Sequence, residues 1–375
     1  MIIGIEASHA NKKKRTGVEE VCFQIIQELK QIIPNEHKVI LYSHKKLNHN
    51  LSDLPKNWQT KILYWPFSKG WSQVRLSLEL FFKKPDIFFA PGQLVPLYCP
   101  KNTISIVHDS AFKVFPKLYN KLAVPYLHIM NKMITRKAKI VITPSQFSKD
   151  EFIRLYKYKA EKIRVIPWGY NEQLYNMDKK QEDSTELLKE FKINNPYFVS
   201  IGRLEEKKNT YRIIQAFNKF SKNSKEQYQL LLIGNKRVGF EKIQQQIQDS
   251  PYKDRIITPG WVAEEQLPYL LANSAAFIFP SLYEGFGLPL LEAMAVKTPV
   301  ICSKNMALQE VGGDCVEYVD YDDVSQISKK IEKVVKMDSQ IQQNIQRGSE
   351  RIKNYNWKHT AKNVYIIMKN LAKNR

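Results

Sequence analysis

What most restricts the fold of this chain is an alternation: short apolar, β-branched runs, each followed by a stretch with apolar residues at helical spacing. Runs that short, apolar on both faces, suit parallel strands covered by helices, so the pattern predicts the α/β class. After a strand that Met1 leads straight into, candidate strands fall at 39–42, 86–90, 103–107, 140–143 and 164–166. The alternation restarts at 197–201 and continues at 229–233, 255–257, 275–279, 299–302 and 316–319. Residues 171–195, between the two series, are polar and charged and read as a linker with a short helix. At 375 residues the chain is too long for one ordinary core and suits two domains. In the first helix Val18, Val21, Cys22, Ile25, Ile26, Leu29, Ile32 and Ile33 form one stripe for packing on a sheet. Residues 357–371 carry helical spacing as well, and no fixed-period repeat is visible.

The richest segment is 279–295, F-P-S-L-Y-E-G-F-G-L-P-L-L-E-A-M-A. Pro280 ends a strand by lacking an amide N–H. Gly285 and Gly287 bracket Phe286 and let a ligand approach the main chain closely. Pro289 suits the first turn of a helix, and no Ser, Thr, Asp or Asn stands just before it to cap the amides. Those amides and the helix dipole suit an anion such as a diphosphate. Glu284 and Glu292 flank the place; a carboxylate accepts two hydroxyl hydrogen bonds, so Glu292 suits a ribose diol and Glu284 sugar hydroxyls or developing positive charge. As bare spacing, the two glutamates would equally describe a solvated strand-turn-helix.

The pattern P-S-x-x-E-G-F-G-L-P-x-L-E-A-M-A resembles the signature of the retaining glycosyltransferases known as family 4, or glycosyl transferases group 1. The resemblance implies a GT-B fold: two Rossmann-like, doubly wound parallel-sheet domains facing across a cleft. Its domains would be 1–172 on the acceptor side, a linker at 173–194, a nucleotide-sugar domain at 195–352, and a helix at 353–375 returning to the first domain. Further segments match. After the 197–201 strand come Gly202-Arg203-Leu204-Glu205-Glu206-Lys207-Lys208-Asn209, where a guanidinium fork and a lysine suit a departing diphosphate; the matching Arg and Lys of the family do this, which implies Arg203 and Lys208, with Gly202 beside them. His108-Asp109 end the 103–107 strand where open α/β sheets bind ligands, and the resemblance places His108 near the reacting sugar carbon. Residues 143–148 and 166–170 also match family segments. Glu6 and the 8–17 loop occupy the family's first loop, whose glycine approaches the donor phosphate; here Gly17 stands beside Lys12-Lys13-Lys14-Arg15.

The activity implied is retaining, metal-independent transfer of a hexose from a UDP-sugar or GDP-sugar to an acceptor hydroxyl, without cofactor. Backbone amides around Gly285, Phe286, Gly287 and Leu288 would hold the sugar, the helix beginning at Pro289 would stabilise the leaving diphosphate, and no protein nucleophile is implied. The H-D-S-A-F segment leans toward mannosyl transfer, and bacterial surface glycan assembly is the expected setting. An epimerase of the same shape and a non-catalytic nucleotide-sugar binder are the competing readings.

The net charge of +21 is concentrated in the first half: residues 1–178 hold 28 Lys and Arg against 14 Asp and Glu, the remainder 30 against 23. Basic residues contribute about 1 kcal/mol each near an anionic leaflet, so an anionic membrane surface and a glycan or lipid-linked glycan acceptor are the expected partners. Residues 125–134 place Tyr126, Ile129, Met130 and Met133 at helical spacing, which serves either a core helix or an interfacial one. No nucleic-acid motif accompanies the charge. Cys22, Cys99, Cys302 and Cys315 lack metal-ligand spacing and read as free thiols in a reducing compartment. No secretory signal is evident, and no apolar run approaches the roughly 20 residues of a spanning helix. The expected location is cytoplasmic, peripheral on the inner face of the plasma membrane.

Overall fold

In the computed structural model, which describes residues 1–67, 69–176, 184–237 and 239–373, the apolar runs pair into two parallel sheets. The chain divides into two compact units. One comprises Met1–Lys117, Lys121–Gly169 and the final segment from Asn356; the other comprises Leu118–Asn120 and Tyr170–Tyr355. The sequence reading put these divisions at 172 and 352, and the expected 173–194 linker falls within the second unit, with residues 177–183 outside the described ones.

The first unit's strands are β1 (Ile2–Glu6), β2 (Lys38–Ser43), β3 (Trp58–Ile62), β4 (Ile87–Ala90), β5 (Thr103–Ile106), β6 (Ile140–Thr143) and β7 (Ile163–Val165), in the order β3-β2-β1-β4-β5-β6-β7. The inner strands carry Ile3, Ile5, Val39, Leu41, Phe88, Phe89, Ile104 and Ile106 with no exposure, as strands covered on both faces require. The sequence pattern does not reveal β3, because an edge strand can be polar: only Trp58 of its residues is buried. Chain order reverses between β1 and β4, which makes their C-terminal ends the switch point where such sheets bind ligands.

Two helices close this unit. Gly17–Ile32 buries Val21, Cys22, Ile25, Ile26 and Leu29 of the expected stripe, with Val18 and Ile32 half-buried, and Trp357–Lys373 packs on this helix. The returning helix is seated by Trp168 stacked on Trp357, with ring centroids 6.3 Å apart, and by the Thr360 hydroxyl donating to the Pro167 carbonyl at 2.7 Å. Helix Ala123–Lys137 resolves the two readings of the 125–134 segment by splitting it: Met130 and Met133 are buried, Tyr126 and Ile129 exposed.

The second unit's strands are β8 (Tyr197–Ile201), β9 (Gln229–Ile233), β10 (Ile256–Gly260), β11 (Ala276–Phe279), β12 (Val300–Ser303) and β13 (Glu317–Val319), ordered β10-β9-β8-β11-β12-β13. Here the switch point lies between β8 and β11. An aromatic group of Phe198, Phe217, Phe220 and Tyr228 fills one side, with Phe198 stacked on Tyr228 at 4.9 Å.

At Gly169 the first unit admits no side chain: a Cβ there would collide with the backbone nitrogen of Trp357. Gly169→Ala is therefore expected to unseat the Trp357 helix and cost about 2 kcal/mol or more in urea unfolding; unchanged stability would contradict this packing.

Candidate active site

The turn after β8 and the loop after β11 meet in the second unit. Gly202, at φ +156°, redirects the chain, and a Cβ there would press to 3.2 Å on the Lys208 side chain. A Cβ on Gly234, after β9, would collide with the Gly202 carbonyl, so two glycines let adjacent strand ends come this close. A short turn, Glu206–Lys208, leads to Asn209 in the left-handed region at φ 60°, which Asn tolerates better than most residues. The buried Asn209 side-chain amide donates to the carbonyls of Pro280 at 3.0 Å and Tyr321 at 2.5 Å, and Leu282 N donates to Lys207 O at 2.9 Å. The cationic turn is thus fastened to the loop from β11.

On that frame Lys208 Nζ lies 2.6 Å from the buried Glu284 Oε1 and 4.7 Å from the centroid of the Phe279 ring. Arg203, one residue beyond Gly202, is exposed. From Glu284 the chain runs through buried Gly285 and Phe286 to Gly287, at φ +112°, and into the helix Leu288–Ala295. Gly287 offers no capping side chain; Pro289 lacks an N–H and Leu290 N already donates to the Gly287 carbonyl at 3.0 Å, so at the start of this helix it is the Leu288 amide, with the helix dipole, that suits an anion. Its Cβ would lie 2.6 Å from Leu308, so both φ and packing select glycine. Pro289 sits in the first turn, and Glu292 is half-buried further along the same helix. Arg203, Lys208, Glu284 and the Gly285–Leu288 backbone therefore gather at the C-terminal ends of β8 and β11, at this sheet's switch point. Among the described residues no group of three or more His, Cys, Asp and Glu is arranged to hold a metal ion.

In the first unit, His108 follows β5. Its Nε2 lies 2.8 Å from the Pro91 carbonyl, which can only accept, so Nε2 bears the proton and Nδ1 the lone pair. Burial pushes its pKa down to about 4, so the ring is neutral near pH 7. Gln93 holds the neighbouring chain by accepting from His108 N at 2.9 Å and donating to Asp109 O at 2.9 Å. Gly17 begins a helix whose N-terminus is already met by a carboxylate: Glu19 accepts from the Thr16 amide at 3.3 Å and hydroxyl at 2.5 Å.

Sequence reasoning passed over His9. Its Nδ1 lies 3.0 Å from the Oε2 of buried Glu6, whose Oε1 accepts from Ser8 N at 2.8 Å. A Cβ on Gly92, just beyond β4, would lie within 2.6 Å of the His9 ring carbon Cγ, so glycine makes room for the imidazole. Burial disfavours charge on both partners, yet the mutual attraction wins: the His9 pKa is raised and that of Glu6 lowered. The pair's stabilisation is complete between the ordinary Glu and His values, 4.5 and 6.5, and is lost above as His9 deprotonates and below as Glu6 protonates. The signal available in the sequence was a carboxylate and a histidine three residues apart at a strand end.

A chain built this way matches known families along most of its length. The pattern described as "Glycosyl transferases group 1" matches residues 183–351, and that of "Glycosyltransferase Family 4" matches residues 15–174. It is 29% identical over 298 residues to O-antigen chain mannosyltransferase B of Escherichia coli, covering 79% of this chain and 76% of that protein. It is 25% identical over 356 residues to O-antigen chain mannosyltransferase RfbU of Salmonella typhimurium, covering 92% and 93%. The sucrose-phosphate synthase structure from Thermosynechococcus elongatus superposes with a TM-score of 0.78 at 19% identity over 100% of both chains. The fold and the family matches together define a glycosyltransferase of GT-B type. The chain belongs to the retaining glycosyltransferases of family 4, group 1.

The neutral state of His108 has a measurable consequence. A histidine whose folded pKa is depressed favours unfolding as pH falls from its ordinary 6.5 toward 4, because the unfolded chain binds the proton first. His108→Gln should lose less stability than the native chain across that window in urea titrations; an identical loss would show that His108 is not buried neutral.

Proposed function

We propose that this enzyme moves a hexose, mannose by preference, from a nucleoside diphosphate sugar to a hydroxyl of a lipid-linked glycan at the cytoplasmic face of the membrane, in surface glycan assembly. The observation that carries the proposal is the meeting of Arg203, the Lys208–Glu284 pair and the uncapped Leu288–Ala295 helix at one switch point. Arg203, Lys208 and the helix N-terminus face the diphosphate, Glu292 takes the ribose hydroxyls, and Glu284 with the Gly285–Leu288 backbone holds the sugar. His108, through its unprotonated Nδ1, is suited to accept a hydrogen bond from a hydroxyl.

In the transfer the bond from the anomeric carbon to the diphosphate oxygen breaks, and the acceptor oxygen bonds to the same face. The acceptor proton passes to the departing phosphate. The negative charge that grows on the diphosphate meets two preplaced cations and a dipole, which stabilise it most when the bond is breaking. The proposed reaction draws its positive charge from these groups and uses no divalent ion. Mannose as the sugar rests on the H-D-S-A-F segment and on the activities named for the two enterobacterial relatives. No helix among the described residues is long and apolar enough to cross a membrane, so the lipid acceptor would be met at its surface.

Release of nucleoside diphosphate tests the reading. Release on adding a lipid-linked acceptor supports transfer; release without acceptor, or donor binding without turnover, would support an epimerase or a silent binder instead. A larger thermal shift with GDP-mannose than with UDP-sugars is expected, and the reverse would remove mannose. Arg203→Ala and Lys208→Ala should each lower kcat by on the order of a hundredfold, whereas Glu292→Ala should chiefly weaken nucleoside diphosphate binding in calorimetry. Near-native turnover, or unchanged affinity, would remove the corresponding role.

A further inference from the structure

Helix Arg75–Phe82 is apolar on two sides. Leu76 and Leu80 are fully buried in a cluster with Tyr42, Trp71 and Phe88. Val74, just before the helix, and Leu78, Phe81 and Phe82 recur at i, i+4, i+7 and i+8 and are between 42% and 76% exposed. A helix of a globular domain ordinarily turns one apolar stripe inward and a polar face outward, so a second stripe left in water needs an occupant.

The surroundings say what kind. Phe81 packs edge-on against Tyr98 at 5.1 Å, and Lys84 Nζ stands 5.8 Å and 5.6 Å from the centroids of those two rings. Leu97, beside Tyr98, is exposed, and its carbonyl accepts from Lys137 at the end of helix Ala123–Lys137. Gln73 reaches Met130 of the same helix at 3.5 Å; Leu122, just before that helix, and Tyr126 and Ile129 on it are exposed. From residue 63 to 137 there are eleven Lys and Arg but three Asp and Glu, and one of the three, Glu79, is buried and paired with Lys61. Protruding leucine and phenylalanine side chains with lysines at their margin match the boundary of an anionic bilayer, which takes apolar groups among its acyl chains and cations at its headgroups.

We propose that the outer stripe of helix Arg75–Phe82, flanked by Lys83 and Lys84, docks the first unit on an anionic lipid surface. The purpose of docking, access to a lipid-linked acceptor, rests on the function proposed above; the docking itself is measured without any transfer. Full-length protein is sedimented with vesicles of phosphatidylcholine plus phosphatidylglycerol, and with phosphatidylcholine alone. The native chain should pellet with the anionic vesicles and be released by salt. Phe81→Ser with Phe82→Ser should lower the partition by about tenfold or more. Lys83→Gln with Lys84→Gln should lower it on the order of tenfold on anionic vesicles and little on neutral ones. Circular dichroism melting checks that both variants stay folded, as substitution of exposed residues predicts.

Native-like pelleting of the Phe81/Phe82 variant would overturn the proposal. So would failure of the native chain to bind anionic vesicles, or a native dimer that this variant converts to monomer, which would give the stripe to a second copy. Failure to bind vesicles by a chain that still glycosylates a soluble acceptor counts against this face alone; vesicle binding without transfer counts against the proposed function alone.

Discussion

The contact on which the donor half of the site depends is the pair of Lys208 and Glu284, 2.6 Å apart at the ends of β8 and β11. Neither charge lies far from apolar surroundings: Glu284 is buried, and Lys208 stands near the Phe279 ring. Withdrawing such groups from water is costly, and close geometry offsets that cost only while both partners remain. The pair therefore joins two segments that the topology brings together, and Asn209 and Leu282 add neutral hydrogen bonds to the same joint. A lysine held by one carboxylate retains two further donors, so a diphosphate can be met by a cation that is already oriented.

Each sheet makes its own use of a switch point. In the second unit the ends of β8 and β11 carry cations, glycines and an open helix start, the equipment of an anion site. In the first unit the ends of β1 and β4 carry an imidazole oriented by a buried carboxylate and a glycine that makes room for the ring, with a neutral His108 bonded to the Pro91 carbonyl beyond β4.

Much of the architecture was legible because buried parallel strands must be apolar on both faces, and the runs at 230–233 and 276–279 are. The edge strand β3 was not, since Trp-Gln-Thr-Lys-Ile needs to hide only one side chain. In the site, Arg203, Lys208, Glu284 and the glycine loop could be singled out from local pattern and resemblance. The Lys208–Glu284 bond could not, because it joins residues 76 apart through a crossover that only the sheet order reveals. The role of Asn209 as a fastener was hidden likewise, as its partners Pro280 and Tyr321 are distant in sequence. The 74–82 stretch shows why composition alone misleads: its apolar residues are abundant enough for a core helix, and only the packing shows that four of the six face water.

The most direct test is a crystal structure of the protein with a bound nucleoside diphosphate. The diphosphate is expected within hydrogen-bonding distance of the Arg203 guanidinium, Lys208 Nζ and the backbone amides that begin the Leu288–Ala295 helix, with the ribose on Glu292. A nucleotide bound elsewhere, or at this place with its phosphates turned away from Arg203 and Lys208, would contradict the site.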